Sequence, residues 1–157
     1  MDFAGLDLRA ASEAGIWVHL EADGLGPLYR QADDSIGAAA SERPCRVQIR
    51  GVASTSVAEC LRELQRLEMA HQARLQRAKD KDIEGLVARF EEATRSLMER
   101  LIASAVAGWE NIVFLGQDLP CTPANVAQVI GPRTAFFQQV YETILERRAF
   151  LGSAKPN

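Results

Sequence analysis

Apolar residues recur at steps of three, four and seven along the middle third of the chain, from Ser54 to about Ala107. This spacing is typical of amphipathic helices that turn one face to a core. The run Lys79-Asp80-Lys81-Asp82 and then Gly85 interrupt the pattern, and an unbroken helix here would be about 75 Å long at 1.5 Å per residue. We therefore expect a break or reversal within residues 79–85. The alternative is a projecting helix that packs on partner chains.

Two short segments before this region have the composition of strands. Residues 16–20 group β-branched and aromatic side chains, and residues 46–50 alternate Val47 and Ile49 with polar neighbours. The intervening residues 21–44 are rich in glycine, proline and aspartate, which predicts a loop with one strand at 28–29. Loops of this length are usually mobile or functional.

The C-terminal third changes pattern again at Trp109, which is followed by a short apolar run and a turn. Thr122 is a favourable N-cap and Pro123 suits the first position of a helix. The last amphipathic helix is expected over residues 124–150, with a break at Gly131-Pro132. A short helix is expected within residues 1–14.

These elements predict a mostly helical α+β protein. A small N-terminal sheet of two or three strands should pack on a long helix or helical hairpin, because so small a sheet cannot stand alone. The expected parts are 1–53 (β-rich), 54–107 (long helix or hairpin) and 108–157 (C-terminal helical unit), which together form one structural domain.

Composition narrows the functional classes. The chain has 157 residues, 47% hydrophobic and 25% charged, with a net charge of -3, which disfavours a nucleic-acid-binding protein. Its three cysteines, Cys45, Cys60 and Cys121, are odd in number and widely spaced, which favours free thiols in a reducing cytosol. Neither a signal peptide nor a membrane-spanning run is apparent, so no membrane partner is expected.

The residues that usually carry catalysis or bind metals are sparse. No Cys-x-x-Cys or His-x-x-x-His spacing occurs, and the two histidines, His19 and His71, fit a strand and a helix stripe. We expect no enzymatic activity, no metal and no cofactor.

Aromatic residues of the C-terminal third are the candidate partner-binding residues. They supply more apolar surface than one narrow helix stripe needs, and tryptophan is enriched in binding hot spots. The alternative for Trp109 is a core anchor that pins the last helix to the long helix. The candidate residues are Trp109, Phe136, Phe137, Tyr141 and Phe150.

The order of motifs resembles the tail assembly chaperones of long-tailed bacteriophages, of the siphophage type. The C-terminal part of that family tends to read Gly-Trp, an apolar stretch, Gly-x-x-Leu-Pro, a capped helix with Asn, and a closing aromatic-Leu pair. Here these are Gly108-Trp109, Gly116, Leu119-Pro120, Thr122, Asn125 and Phe150-Leu151. The strand segments 16–20 and 46–50 and the serine-capped helix start also resemble the family. Ala124 and Cys121 depart from it, since many relatives have Glu and an aromatic at these positions.

The resemblance implies a non-enzymatic protein of the host cytoplasm. Such chaperones bind the tape measure protein, keep it soluble and help to recruit tail tube subunits, and they are not expected in the mature virion. Self-association into a homo-oligomer stays open. The alternative function is a structural tail or neck component, or a helical adaptor that self-associates.

Overall fold

The structure is a computed structural model that describes residues 6–152, and its elements confirm a mostly helical α+β fold. In chain order the elements are α1 (Leu8–Ala14), β1 (Ile16–His19), β2 (Glu21–Ala22), β3 (Gly26–Pro27), β4 (Tyr29–Arg30), β5 (Ile36–Gly37), β6 (Arg46–Ile49), α2 (Thr55–Arg77), α3 (Asp80–Ala105), β7 (Val106–Glu110), β8 (Val113–Phe114), β9 (Gln117–Asp118), α4 (Pro123–Ile130), α5 (Phe137–Leu145) and α6 (Arg147–Gly152). The ends of the chain, residues 1–5 and 153–157, lie outside the described residues.

The main sheet has three antiparallel strands in the order β1–β6–β7. Strand β6 is central because it pairs with β1 on one side and with β7 on the other, and its Val47 and Ile49 are fully buried. Both strands expected from the sequence are present. The third strand, β7, follows α3 without a gap, in a segment where the sequence pattern predicted the end of the helix. Ala107 and Gly108 have low strand propensity, so the sequence pattern does not predict β7.

The segment between β1 and β6 is more ordered than its composition predicts. Instead of a loop with one strand, it holds the paired strands β2–β3 and β4–β5. Arg30 Nε and Arg43 Nη1 both donate to Asp34 Oδ1, at 2.9 and 3.0 Å. Asp34 has a φ of 64°, a backbone region in which aspartate is more frequent than most residues. These ion pairs, which period-two patterns do not reveal, hold the segment together.

The predicted reversal is present. Helix α2 ends at Arg77 and α3 begins at Asp80, so the turn is formed by Ala78 and Lys79. It overlaps the expected segment, residues 79–85, at its first residue. The helices run antiparallel, as Glu63 pairs with Arg100 at 2.9 Å and His71 stacks on Phe90.

Gly85 is not the break, although the sequence analysis counted it as one. It lies inside α3 and has a φ outside the left-handed region, and a Cβ added there would meet no atom within 4 Å. Glycine in a helix interior costs about 1 kcal/mol relative to alanine. The cost is small enough for a helix of this length to continue through the position.

The core lies where the sheet, the last turns of α3 and the C-terminal helices meet. Its largest buried aliphatic members are Leu20, Ile49, Leu101, Ile102, Ile130 and Ile144. The expected break at Gly131-Pro132 is present, because Gly131 ends α4 in a conformation in which a Cβ would lie 2.2 Å from the carbonyl oxygen of Ala127. A second interruption, at Glu146, separates α5 from α6. Thr122 caps α4 as predicted, since its hydroxyl accepts from the Asn125 N–H at 3.3 Å.

The distal part of the helical hairpin lies outside this core. Within residues 61–96 only His71 is buried, whereas the apolar stripes of both helices are half-buried. Two helices alone cannot cover their stripes from all sides, which leaves apolar surface along the hairpin.

Candidate partner-binding site

Trp109 connects the sheet to the segment that follows it. It lies in β7 opposite Val47, and its indole Nε1–H donates to the Leu119 carbonyl at 2.7 Å. The Leu119 N–H in turn donates to the Ile112 carbonyl at 3.0 Å. Trp109 is half-buried against the core and braces the base of the β8–β9 hairpin. These contacts join the sheet to the β8–β9 segment, and the alternative in which Trp109 pins the last helix to the long helix stays a prediction.

The other four candidate aromatics lie in and beside α5 and α6. Phe136 directly precedes α5, and Phe137 stacks on Tyr141 with ring centroids 5.4 Å apart. These three are half-buried against the core. Phe150, in α6, is 0% exposed. The structure therefore brings Phe137 and Tyr141 together and places Phe150 in the core, away from any surface that a partner could reach.

The most exposed apolar side chains of this region are two that the sequence analysis did not single out. Phe114 and Leu115 form the tip of the β8–β9 hairpin and are 51% and 88% exposed. The sequence shows them only as the end of an apolar run before Gly116. Apolar residues immediately before a turn glycine were the available signal, because two-residue hairpin turns usually carry polar residues there.

The backbone at this tip favours residues other than leucine. Leu115 has a φ of 51° and Gly116 a φ of 78°, so both central residues of the turn lie in the left-handed region. For residues other than glycine, asparagine and aspartate this conformation costs about 1–2 kcal/mol. An exposed leucine is therefore held where the fold gains nothing from it, and such strained positions cluster at functional sites.

Two hydrogen bonds from distant segments fix the base of the β8–β9 hairpin. Asn111 Nδ2 donates to the Pro44 carbonyl at 2.8 Å, and Asn111 itself has a φ of 59°. Arg30 in β4 forms an ion pair with Asp118 in β9. Together with Trp109, these contacts present Phe114 and Leu115 on a rigid support.

His19 and Cys45 lie in contact with the fold's own residues. His19 Nε2–H donates to the Leu28 carbonyl at 2.7 Å, and the imidazole packs edge-on against Tyr29. Burial raises the pKa of the Cys45 thiol to about 11, so it is protonated at neutral pH and a poor nucleophile. Within residues 6–152, no group of three or more His, Cys, Asp and Glu side chains is placed to hold a metal ion. In the same residues, no helix has the length and apolar character needed to cross a bilayer.

We compared the chain with known protein families, curated proteins and solved structures. No protein-family model, curated protein or solved structure matches the chain. The resemblance to tail assembly chaperones therefore depends on the motifs in the sequence alone.

Proposed function

We propose that this chain is a non-enzymatic tail assembly chaperone of a long-tailed phage. It binds the tape measure protein in the host cytoplasm, keeps it soluble, helps to recruit tail tube subunits, and leaves before the virion is complete. The sequence resemblance supports the class. The observation that supports a binding role most strongly is the exposed, strained Phe114–Leu115 tip, within the segment that carries the resemblance.

The physical task fits a protein with exposed apolar contacts on a rigid support. A long tape measure helix without its tube exposes an apolar stripe, and side chains that insert beside it exclude water from that stripe. Many copies along one template add their weak contacts, so each contact can be modest and reversible. Phe114 and Leu115 are the first contacts in this proposal, and the half-exposed pair Phe137 and Tyr141 extends it.

Replacing Leu115 with asparagine tests the role of the tip without disturbing the core. Asparagine tolerates the left-handed region, and Asn-Gly is the favoured pair for this turn, so the free energy of unfolding should be retained or rise by about 1 kcal/mol. Phe114→Ser should likewise leave the fold intact. Both variants should lower the soluble fraction of the tape measure protein encoded in the same genome when the two proteins are co-expressed.

The matched control is Leu25→Asn, because Leu25 is 63% exposed at the turn of the β2–β3 hairpin, outside the proposed contact. This control should keep the tape measure protein soluble. If the tape measure protein stays normally soluble with the double variant Leu115→Asn and Phe114→Ser, the tip is not part of the binding surface.

The alternative, a self-associating helical adaptor or tail component, has one observation in its favour. The distal hairpin leaves the apolar stripes of α2 and α3 half-covered, and Met69 is 66% exposed there. Lasting self-association would bury this face in a large apolar interface. Light scattering at micromolar concentration tests this alternative, because a monomer would rule out lasting self-association, whereas an oligomer is compatible with both functions.

A further inference from the structure

Three cavities lie in a row along the crevice between α2 and α3, on one side of the hairpin. The outermost, of about 480 Å³, shares Arg74, Leu86 and Arg89 with the middle cavity, of about 230 Å³. The middle cavity shares Leu67 and Ala93 with the innermost, also of about 480 Å³. Because neighbouring cavities share walls, they form one groove, which we call the distal crevice. Along α2 it extends from residue 63 to residue 77, about 21 Å at 1.5 Å per residue.

The floor of the distal crevice is apolar. Leu67, Leu86 and Ala93 line it as half-buried side chains, and Phe90 contributes a ring stacked on His71 at 4.0 Å. Along α3 these floor residues run from Leu86 to Ala93, about 10 Å, which matches the stripe that an amphipathic helix presents over about two turns.

The walls of the outer half are cationic. Arg74, Arg77, Lys81 and Arg89 line the outermost cavity, and among the described residues Asp82 is the one carboxylate that lines it. Within the described residues, none of these four cations has a carboxylate within 4.0 Å. At the inner end of the crevice the cation Arg100 already forms an ion pair with Glu63.

Gly85 keeps the outermost cavity open. It lines that cavity, and neither its φ nor a close neighbour requires glycine at this position. A larger residue would improve the helix and fill the groove. The glycine therefore has a helix-propensity cost that packing does not explain, and it leaves the space beside it in the crevice unfilled.

We propose that the distal crevice binds one α-helix of a partner protein, whose apolar stripe is flanked by aspartate and glutamate. The apolar floor would receive the stripe, and the unpaired guanidinium groups of the walls would pair with the flanking carboxylates. A second copy of this chain is a poor occupant in a parallel two-fold arrangement, because the cationic outer halves would then face each other. This site is separate from the Phe114–Leu115 tip, and its test does not depend on the proposed function.

The probe is a designed helical peptide of about four turns with a leucine stripe flanked by glutamates. A second peptide carries lysines in place of the glutamates, and a third carries serines in place of the leucines. Fluorescence anisotropy with the full chain should show the glutamate peptide binding at least roughly tenfold more tightly than either of the others. Added salt should weaken this binding.

Three variants locate the binding. Arg74→Glu combined with Arg89→Glu should lower affinity for the glutamate peptide about tenfold or more and raise it for the lysine peptide. Gly85→Leu should block the groove and lower affinity, while the melting temperature stays level or rises. Arg62→Glu is the control, since Arg62 is exposed on α2 but lines none of the three cavities.

Several results would overturn the proposal. Equal affinity for the glutamate and lysine peptides would remove the charge complementarity on which it depends. A loss with Arg62→Glu as large as that with Arg74→Glu and Arg89→Glu would show a general charge effect. A dimer in light scattering that Gly85→Leu dissociates would show that a second copy occupies the crevice.

Discussion

Replacing Phe150 with alanine is expected to lower the free energy of unfolding by about 3–5 kcal/mol, the usual cost for a buried phenylalanine. Phe150 is fully buried in the core, and its ring covers Gly51. The contact joins the short helix α6 to the loop between β6 and α2, and α6 also packs on α1. Because small proteins have only about 5–15 kcal/mol of stability, this one change should remove a large share of it.

Urea unfolding followed by circular dichroism measures this effect. The matched control is Phe114→Ala, the same substitution at a side chain that is 51% exposed on a hairpin tip. It should cost well under half as much as Phe150→Ala. Similar losses at the two positions would contradict the buried placement of Phe150. Phe150 was a candidate partner-binding residue from its sequence pattern, but its burial predicts an effect on folding instead.

Replacing Gly51 with alanine should also destabilise the fold, by about 1–3 kcal/mol, the typical cost of inserting a methyl group into a packed core. A Cβ at this position would lie 2.6 Å from Ser12 Oγ and 3.0 Å from two ring carbons of Phe150. Ser12 is itself fully buried, so its hydroxyl has little room to move. Gly85→Ala is the control, because no atom lies within 4 Å of the new Cβ and the change should stabilise α3.

A double-mutant cycle makes the test of Gly51 sharper. In the Phe150→Ala background the two closest ring carbons are gone, so Gly51→Ala should cost less than it does in the wild-type protein. The loss of unfolding free energy caused by Gly51→Ala should be smaller by roughly 0.5 kcal/mol or more in the Phe150→Ala background than in the wild-type protein. Strictly additive losses would show that the two residues are not in contact.

The parts of the fold that the sequence predicts are those whose signal is local. The alternation of Val47 and Ile49 gives β6, and the hydroxyl and ring of Thr122-Pro123 give the start of α4. The spacing of apolar residues within α2 and within α3 predicts both helices, and the charged run after Arg77 predicts the reversal. Each of these depends on neighbours within a few residues.

The remaining parts depend on contacts between distant residues. Strand β7 forms because it pairs with β6, some sixty positions earlier, and its Ala-Gly sequence favours no particular structure. The segment between β1 and β6 is ordered by arginine–aspartate pairs that no periodic pattern encodes. The burial of Phe150 and the exposure of Leu115 are likewise set by tertiary packing. A list of aromatic residues therefore predicted a binding surface that included a core residue and omitted the exposed tip.

Transient binding to the tape measure protein can be measured by quantifying this chain in two samples from infected cells. One sample is the tape measure protein captured before the tail tube forms, and the other is purified virions. A transient chaperone should be present in several copies per captured tape measure protein and absent from purified virions. A fixed number of copies in virions, with none on the captured tape measure protein, would contradict transient binding and favour a structural tail component.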